Sequence, residues 1–368
     1  MRWTMLASAL VLVGVCAHAQ AQIKIGQSAG FTWPAAATVK ELTDGAKLYF
    51  DSVNAAGGVN GQSIELISAD DRYDTVHAAI NAKRLVQHGI VAMFLTYGTP
   101  QTQAMIPVLE EYQVPLVGPS SGATALHDPV QPYVYNVRTT YQREAERTIK
   151  HLGQQGVQQI AIVQVDDSFG ADAAIGAQKG FVAIKGKPVA HIKYKSGRAD
   201  FGVIVPQVVA AQAQAVLFLG SGAEVVEGVK RLRAAGSLAQ VVTLSNNASG
   251  GFVKALDTNA RGTVVSQVFP YERSLSVPIV KQAQALATAQ GLGSVTPANL
   301  EGFAAAKVLV EGLRRSGKEI TRASLNRALE SFSRVDIGGL EITYNHNSHT
   351  GLDYADLSII GPDGKFWR

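Results

Sequence analysis

The sequence predicts an α/β fold made of doubly wound parallel sheets. Short runs rich in valine, isoleucine and leucine alternate along the chain with amphipathic segments of helical period. These runs carry few polar residues, as strands buried on both faces of a parallel sheet do. After Ser266 the alternation stops and three helical segments follow one another. Such a change is expected of a chain that returns to complete an earlier domain.

The individual elements follow from this alternation. Strands are predicted over residues 23–26, 64–67, 92–95, 115–117, 159–165, 190–193, 215–219, 241–244 and 262–266. Helices are predicted over residues 42–55, 75–87, 102–112, 143–153, 171–183 and 223–235. Gly57-Gly58 ends the first helix, and Asp74 is placed to cap the second. The later part of the chain predicts helices over 276–289, 300–316 and 321–332, then strands over 338–344 and 354–360.

The N-terminus predicts export. Arg2 precedes a short apolar run over residues 5–15, and two small-x-small sites end at Ala19 and Ala21. This pattern is typical of a cleavable signal peptide over residues 1–21, and the run is too short to span a bilayer. The one cysteine, Cys16, lies inside it. A lipid anchor on Cys16 is the alternative, but the bulky Val15 before it disfavours that interpretation.

Charge and motifs exclude several classes of function. The net charge of +4 is scattered, which disfavours nucleic-acid binding. No phosphate-binding loop of the G-x-x-x-x-G-K type occurs, so the chain is not expected to be an ATPase. Asp70 and Asp71 end a predicted strand without a histidine or second acid pair at ligand spacing, so they indicate a turn and not a metal site. We expect no cofactor and no metal.

A serine hydrolase is the enzyme alternative. Residues 118–122 match G-x-S-x-G after a strand, which would make Ser120 a nucleophile. The match is weak because Pro129 and Pro132 break the helix that should follow. The candidate bases, His346 and His349, lie in a polar run typical of a loop. We therefore expect no enzymatic activity.

Two loops are the candidate binding elements. Residues 96–101 and 120–123 each follow a predicted strand and are small, hydroxyl-rich and glycine-containing. Ligands of open α/β sheets bind beyond the carboxyl ends of strands, and a helix N-terminus favours an anion. The sequence therefore predicts a carboxylate site formed by the following residues and their amides: Tyr97, Gly98, Thr99, Ser120, Ser121 and Gly122.

Four groups of segments occur in an order and spacing that resemble a known family. They are LTDGA at 42–46 with VNAAGGVNG at 53–61 and Asp70-Asp71, YGTP at 97–100 with VGPSSGA at 117–123, NVR at 136–138 with DDSFG at 166–170, and VSQV at 265–268 with LEGFAA at 300–305. Over residues 23–364 the chain resembles the branched-chain amino-acid (Leu/Ile/Val) class of type I periplasmic binding proteins.

The resemblance implies two doubly wound lobes joined by three hinge crossings, near Tyr141, Gln267 and Asn345. The first lobe would hold residues 22–141 and 268–345, and the second would hold 142–267 and 346–368. It also implies a monomer in the periplasm that closes over a small-molecule solute and delivers it to the membrane subunits of an ABC permease. A receptor that feeds a membrane signalling protein is the alternative.

The resemblance also extends the candidate site. It implies ligand-binding roles for Trp33, Tyr141, Phe169, Ser221, Asn246 and Asn247. Amino-acid binders of this family use a glutamate in the second lobe, but residues 244–248 offer no carboxylate. Glu224 is a possible substitute, or else an acid in the first turn of a helix. A carboxylate without an ammonium group, or an amide, therefore fits at least as well as an amino acid.

Overall fold

The computed structural model describes residues 22–32 and 34–368. Its strands are β1 Gln22–Ala29, β2 Ser63–Asp70, β3 Ala92–Phe94, β4 Leu116–Val117, β5 Val134–Tyr135, β6 Ile160–Val165, β7 Ala190–Tyr194, β8 Ala215–Leu219, β9 Gln240–Thr243, β10 Val264–Gln267, β11 Val335–Asp336, β12 Glu341–Ile342, β13 Asp356–Ile360 and β14 Phe366–Trp367. Its helices are α1 Ala36–Ala55, α2 Thr75–Gln87, α3 Thr99–Glu111, α4 Tyr141–Gln154, α5 Ser168–Ala183, α6 Phe201–Ala210, α7 Gly222–Ala234, α8 Gly250–Leu256, α9 Pro278–Ala289, α10 Pro297–Arg315 and α11 Arg322–Glu330.

The strands form two main sheets, which confirms the predicted α/β class. One sheet has the order β2-β1-β3-β4-β5, and its strands are parallel. The other has the order β14-β13-β10-β9-β8-β6-β7, in which β13 and β14 are antiparallel additions to a parallel sheet. We call the first sheet with α1–α3 and α9–α11 lobe 1, and the second with α4–α8 lobe 2. The chain passes between the two sheets after β5, after β10 and after β12.

Local sequence signals explain most element boundaries. The side chain of Asp74 accepts a hydrogen bond from the His77 amide at 2.9 Å, so α2 begins as predicted. Helix α1 begins at Ala36, six residues before the predicted start, because its first turns are built of small residues rather than of an apolar stripe. Helix α6 was not predicted. Its sequence, FGVIVPQVVA, is β-branched and apolar, and only the Asp200 cap indicates a helix start.

The prediction of one strand over residues 338–344 holds only for Glu341–Ile342, which form β12. The residues before them, 337–340, form a tight turn between β11 and β12. Gly338 and Gly339 adopt φ values of +114° and +83°, and both amides donate to Asp336 Oδ1. These left-handed conformations cannot continue a strand, and glycine adopts them at low cost.

Lobe 1 is held by a close crossing of α1 and α10. A methyl group on Gly302 would lie 1.9 Å from the Leu42 carbonyl oxygen, and one on Gly45 would lie 1.9 Å from that of Asn299. The two helices therefore approach to backbone contact, which only glycine permits at these positions. The pair covers one face of the first sheet, where the residues are almost fully buried. No helix among the described residues combines the length and apolar content that a bilayer crossing needs.

Candidate functional site

The two predicted loops of lobe 1 run side by side at the carboxyl ends of β3 and β4. Tyr97 pairs with Ser120 in a parallel bridge, and the Ser120 amide donates to the Thr96 carbonyl at 2.7 Å. This pairing brings the hydroxyl oxygens of Thr99 and Ser121 to 2.8 Å from each other, and both side chains are buried. The Ala123 amide donates to the Ser121 hydroxyl at 3.4 Å. Because one hydroxyl of the pair donates to the other, the second hydroxyl can donate its own hydrogen bond to a bound acceptor.

Two glycines allow these loops their path. Gly98 has a φ of +88° and precedes α3, and a methyl group there would lie 3.0 Å from the Tyr73 ring. A methyl group on Gly122 would lie 2.7 Å from the Thr139 carbonyl oxygen. The Gly122 carbonyl accepts a hydrogen bond from the Tyr141 amide at 2.7 Å, so this loop is joined to the first crossing between the lobes. Thr99 is the first residue of α3, so the hydroxyl pair lies at the start of this helix.

An aromatic pair lies at that first crossing. The rings of Tyr141 and Phe169 meet edge to face with centroids 4.7 Å apart. Phe169 lies in the first turn of α5, whose start is capped by Asp167 through a 3.0 Å hydrogen bond from the Gly170 amide. Tyr141 begins α4, so the two predicted aromatic site residues are brought together from adjacent helices.

The predicted residues of lobe 2 divide by what their side chains do. Asn247 donates to Thr243 Oγ1 at 2.8 Å and to the Gly220 carbonyl, so it holds its own loop in place. Asn246 also donates to Gly220, and its backbone carbonyl accepts from the Tyr97 hydroxyl at 3.0 Å across the cleft. Its Oδ1 is buried without a partner among the described residues. Asn246 therefore keeps one acceptor available for a ligand.

Ser221 and Glu224 are engaged with each other. The carboxylate of Glu224 accepts from the Ser221 hydroxyl at 2.8 Å and from the Ser221 amide at 3.2 Å. It also accepts from the Gly197 amide and from the Tyr194 hydroxyl. Of the two possibilities for Glu224, these contacts support its place in the first turn of α7, where it organises the helix start.

Tyr73 is a cleft residue that the sequence analysis missed. Its ring centroid lies 6.1 Å from that of Tyr97. Burial raises its pKa well above the usual range, and the neighbouring Tyr97 and Asp167 raise it further. Because Asp167 belongs to lobe 2, Tyr73 lies close enough to that lobe for its charge to act on the Tyr73 hydroxyl. Burial also raises the pKa of Asp167, so the site contains a half-buried carboxyl that residues 244–248 did not reveal.

The Asp70-Asp71 run holds Tyr73 in place, which agrees with the interpretation of these two aspartates as turn residues. Arg72 and Tyr73 have φ values of +55° and +58°, a conformation that costs free energy in residues with a side chain. The Arg72 amide donates to Asp70 Oδ1, and the Tyr73 amide donates to Asp71 Oδ1, both at 2.9 Å. Gln101 donates to the Tyr73 carbonyl at 2.9 Å. The end of β2 is the signal that could have placed Tyr73 at the site, since β2 lies beside β1 in the same sheet.

A buried charge network lies beside the aromatic pair. The Arg138 guanidinium is 4.7 Å from the centre of the Tyr141 ring, and its Nη2 is 2.5 Å from both Glu144 Oε1 and Ser245 Oγ. Its Nη1 is 3.5 Å from Glu301 Oε1. Arg138 therefore joins α10 of lobe 1 to α4 and the Ser245 loop of lobe 2.

The structure does not support a hydrolase site at Ser120. His349 stacks on Tyr135 with centroids 4.3 Å apart, and its Nδ1 lies 3.1 Å from the carbonyl oxygens of Gln131 and Val134. A histidine held in this way stabilises the packing around Tyr135. The other candidate base, His346, is exposed. Within the described ranges, no group of histidine, cysteine and acidic residues is arranged to hold a metal.

An open groove of about 510 Å³ lies between α1 of lobe 1 and helices α7 and α8 of lobe 2. None of the candidate ligand residues that the structure describes is among the residues that line it. Two predictions lie outside the described residues: Trp33, and the signal peptide over residues 1–21.

Two α/β lobes with a polar cleft between them define the class of two-lobed solute receptors. A family model described as "Periplasmic binding protein" matches residues 22–357. The chain belongs to this family of binding proteins, and it is not an enzyme.

Individual relatives agree with this assignment. The chain is 30% identical to a substrate-binding periplasmic protein of Ralstonia solanacearum, whose crystal structure superposes with a TM-score of 0.87 and coverage of 94% of this chain and 99% of that one. It is 24% identical over 360 residues to the "Leu/Ile/Val-binding protein homolog 3" of Brucella melitensis, with coverage of 96% of this chain and 95% of the relative. It is 23% identical over 267 residues to the "Leu/Ile/Val-binding protein" of Escherichia coli, with 72% of each chain covered.

Proposed function

We propose that this chain is the exported solute-binding component of an ABC importer, and that it captures a small solute bearing a carboxylate. The observation that carries the proposal is the buried Thr99 and Ser121 hydroxyl pair, 2.8 Å apart, at the N-terminus of α3. Hydroxyl and amide donors at a helix start stabilise an anion, and the carboxylate is the common anion of small metabolites.

The proposal assigns each part of the cleft a role. The carboxylate binds lobe 1 at Thr99, Ser121 and the backbone amides that follow Ser120, while Tyr97, Tyr141 and Phe169 contact the apolar part of the solute. Trp33 is the remaining aromatic of this set. Asn246 Oδ1 accepts a hydrogen bond from the solute on the lobe 2 side, which is supported by its lack of a partner among the described residues.

The proposed mechanism is closure of the two lobes around the solute. Lobe 1 comprises residues 22–141 and 268–345, and lobe 2 comprises residues 142–267 and 346–368. A solute that contacts both lobes favours the closed form, and the closed form docks on the permease subunits in the periplasm. A change from 1:99 to 99:1 in favour of closure needs about 5.5 kcal/mol of differential binding. Two or three hydrogen bonds to a charged group, each about 1.5–3 kcal/mol, supply that amount.

Relatives named for leucine, isoleucine and valine suggest a matched set of test solutes. L-leucine carries both a carboxylate and an ammonium group, 4-methylpentanoate lacks the ammonium, and L-leucinamide lacks the carboxylate. Benzoate tests an aromatic acid. We expect the carboxylates to raise the melting temperature and leucinamide to leave it unchanged, since a ligand at 100 times its Kd adds about 2.7 kcal/mol of stability.

The double variant Thr99→Ala, Ser121→Ala tests the anion site directly. It should weaken carboxylate binding by about 10- to 100-fold in calorimetric titration, because one hydrogen bond to a charged group is lost. The matched control is Ser274→Ala, Ser276→Ala, which removes an exposed hydroxyl pair 3.0 Å apart. Equal affinities in the two double variants, or stabilisation by leucinamide as large as by leucine, would overturn the carboxylate assignment.

A further inference from the structure

Glu41 reaches from lobe 1 into lobe 2. It lies on α1, and its two carboxylate oxygens accept hydrogen bonds from the amides of Gly250 and Gly251 at 2.9 and 2.7 Å. Those amides begin α8, which connects β9 and β10 of the second sheet. One side chain of the first lobe thus satisfies two backbone donors of the other lobe.

Lobe 1 holds this carboxylate in position. The Thr296 hydroxyl donates to Glu41 Oε2 at 2.7 Å, and the Asn299 amide group donates to the Glu41 backbone carbonyl at 2.7 Å. Both residues belong to the start of α10, which packs on α1. Glu41 therefore keeps partners within lobe 1, and only its bonds to Gly250 and Gly251 depend on where lobe 2 lies.

Gly251 is explained by the same contact. A methyl group there would lie 2.5 Å from the Ala37 Cβ, whereas one on Gly250 would lie at an ordinary contact distance, 3.4 Å from Thr296 Cγ2. Glycine at a helix start weakens the helix, so its use at position 251 indicates that lobe 1 must come this close. Next to the two glycines, the hydroxyl oxygens of Thr38 and Ser249 are 3.0 Å apart across the same boundary.

We propose that Glu41 is a positioning residue for lobe closure, which sets solute affinity without touching the solute. In an open form the two amides of lobe 2 are hydrated and the carboxylate keeps its lobe 1 partners. In the closed form the carboxylate and amides satisfy each other. This difference raises the ratio of closed to open protein by the same factor for every solute. It therefore raises affinity but does not select among solutes.

The test measures closure without any solute. Cysteines at Thr38 and Ser249 take positions where the native side-chain oxygens are 3.0 Å apart. With Cys16, the one native cysteine, replaced by alanine, they are the only thiols in the chain. Oxidised glutathione then forms a disulfide between the lobes at a rate proportional to the closed population, even when that population is small. Mass spectrometry of the full-length cross-linked protein follows the rate.

In this background Glu41→Gln should slow cross-linking about tenfold, because two hydrogen bonds lose their charged acceptor. Glu41→Asp, which keeps the charge but withdraws it by one methylene, should slow it as well. The matched control is Glu319→Gln, which removes the same charge from an exposed position of lobe 1 and should leave the rate unchanged.

The outcomes separate this inference from the proposed function. Wild-type cross-linking rates in both Glu41 variants, with circular dichroism spectra and melting temperatures like those of the control, would overturn the role of Glu41 whatever the solute is. A slower rate in both variants, with the control unchanged, supports it even if no carboxylate binds.

Discussion

Replacing Arg138 by methionine should destabilise the protein more than any exposed substitution. The Arg138 side chain is 1% exposed and contacts Glu144 and Glu301, which are 0% and 8% exposed. Methionine has a similar length and fills the space without charge. The variant would leave two carboxylates buried beside each other without their cation.

The magnitude follows from that burial. Burial alone would lower the pKa of Arg138, but the carboxylates of Glu301 and Glu144 raise it above its usual range. The cation is therefore stabilised by its partners. Without it, the free-energy cost of burying the two carboxylates is no longer offset. Breaking a buried ion pair by removing one partner costs about 3–5 kcal/mol. Burial already raises the pKa of Glu301, so this carboxyl should take up a proton in the variant.

Urea unfolding followed by circular dichroism measures the free energy of unfolding. We expect Arg138→Met to lose about 3–5 kcal/mol, and the triple variant that adds Glu144→Gln and Glu301→Gln to recover most of it. Arg138→Lys keeps the charge but cannot reach three partners, so it should fall between. A loss below about 1 kcal/mol in Arg138→Met, or equal losses in the single and triple variants, would refute the reasoning.

Two further predictions concern lobe 1. Burial raises the pKa of Asp71 from 3.8 to about 6. The stabilisation from its protonated form is therefore present in acid and is lost as the pH rises through about 6. In urea unfolding, the free energy of unfolding of Asp71→Asn should increase relative to that of wild type by about 2 kcal/mol between pH 4 and pH 7. A difference that stays flat with pH contradicts the assignment. Gly302→Ala would place a methyl group 1.9 Å from the Leu42 carbonyl oxygen. Forcing α1 and α10 apart should cost about 1–3 kcal/mol by calorimetry, and an unchanged melting temperature would show that the crossing is not tight.

Most of the fold was predictable because it depends on local patterns. Continuous apolar runs such as 215–219 are buried from end to end in β8, and the Asp74 cap begins α2 where the sequence places it. The pattern failed where two signals conflict. The β-branched run of α6 indicates a strand, and the Gly338-Gly339 turn interrupts a run that otherwise alternates.

The sequence indicated which residues meet at the strand ends of lobe 1, but it indicated only part of those that face them from lobe 2. Thr99 and Ser121 lie at the ends of neighbouring parallel strands, and strand order alone brings such ends together. Tyr73 lies outside the quoted motifs, and Asp167 lies in the DDSFG segment at 166–170 but was given no role there. Their place in the cleft depends on how far one lobe lies from the other.

By itself, the sequence determined that the chain forms alternating strands and helices, that it builds two such units, and that hydroxyl-rich loops follow the central strands of the first. These properties depend on residue period and on neighbours close in sequence. The tertiary structure alone decided the contacts between the lobes: the guanidinium of Arg138 between two acids, and the carboxylate of Glu41 on the amides of α8. The Arg138–Glu301 and Glu41–Gly250 contacts join residues more than 160 positions apart, and no local pattern specifies which distant donor meets which acceptor.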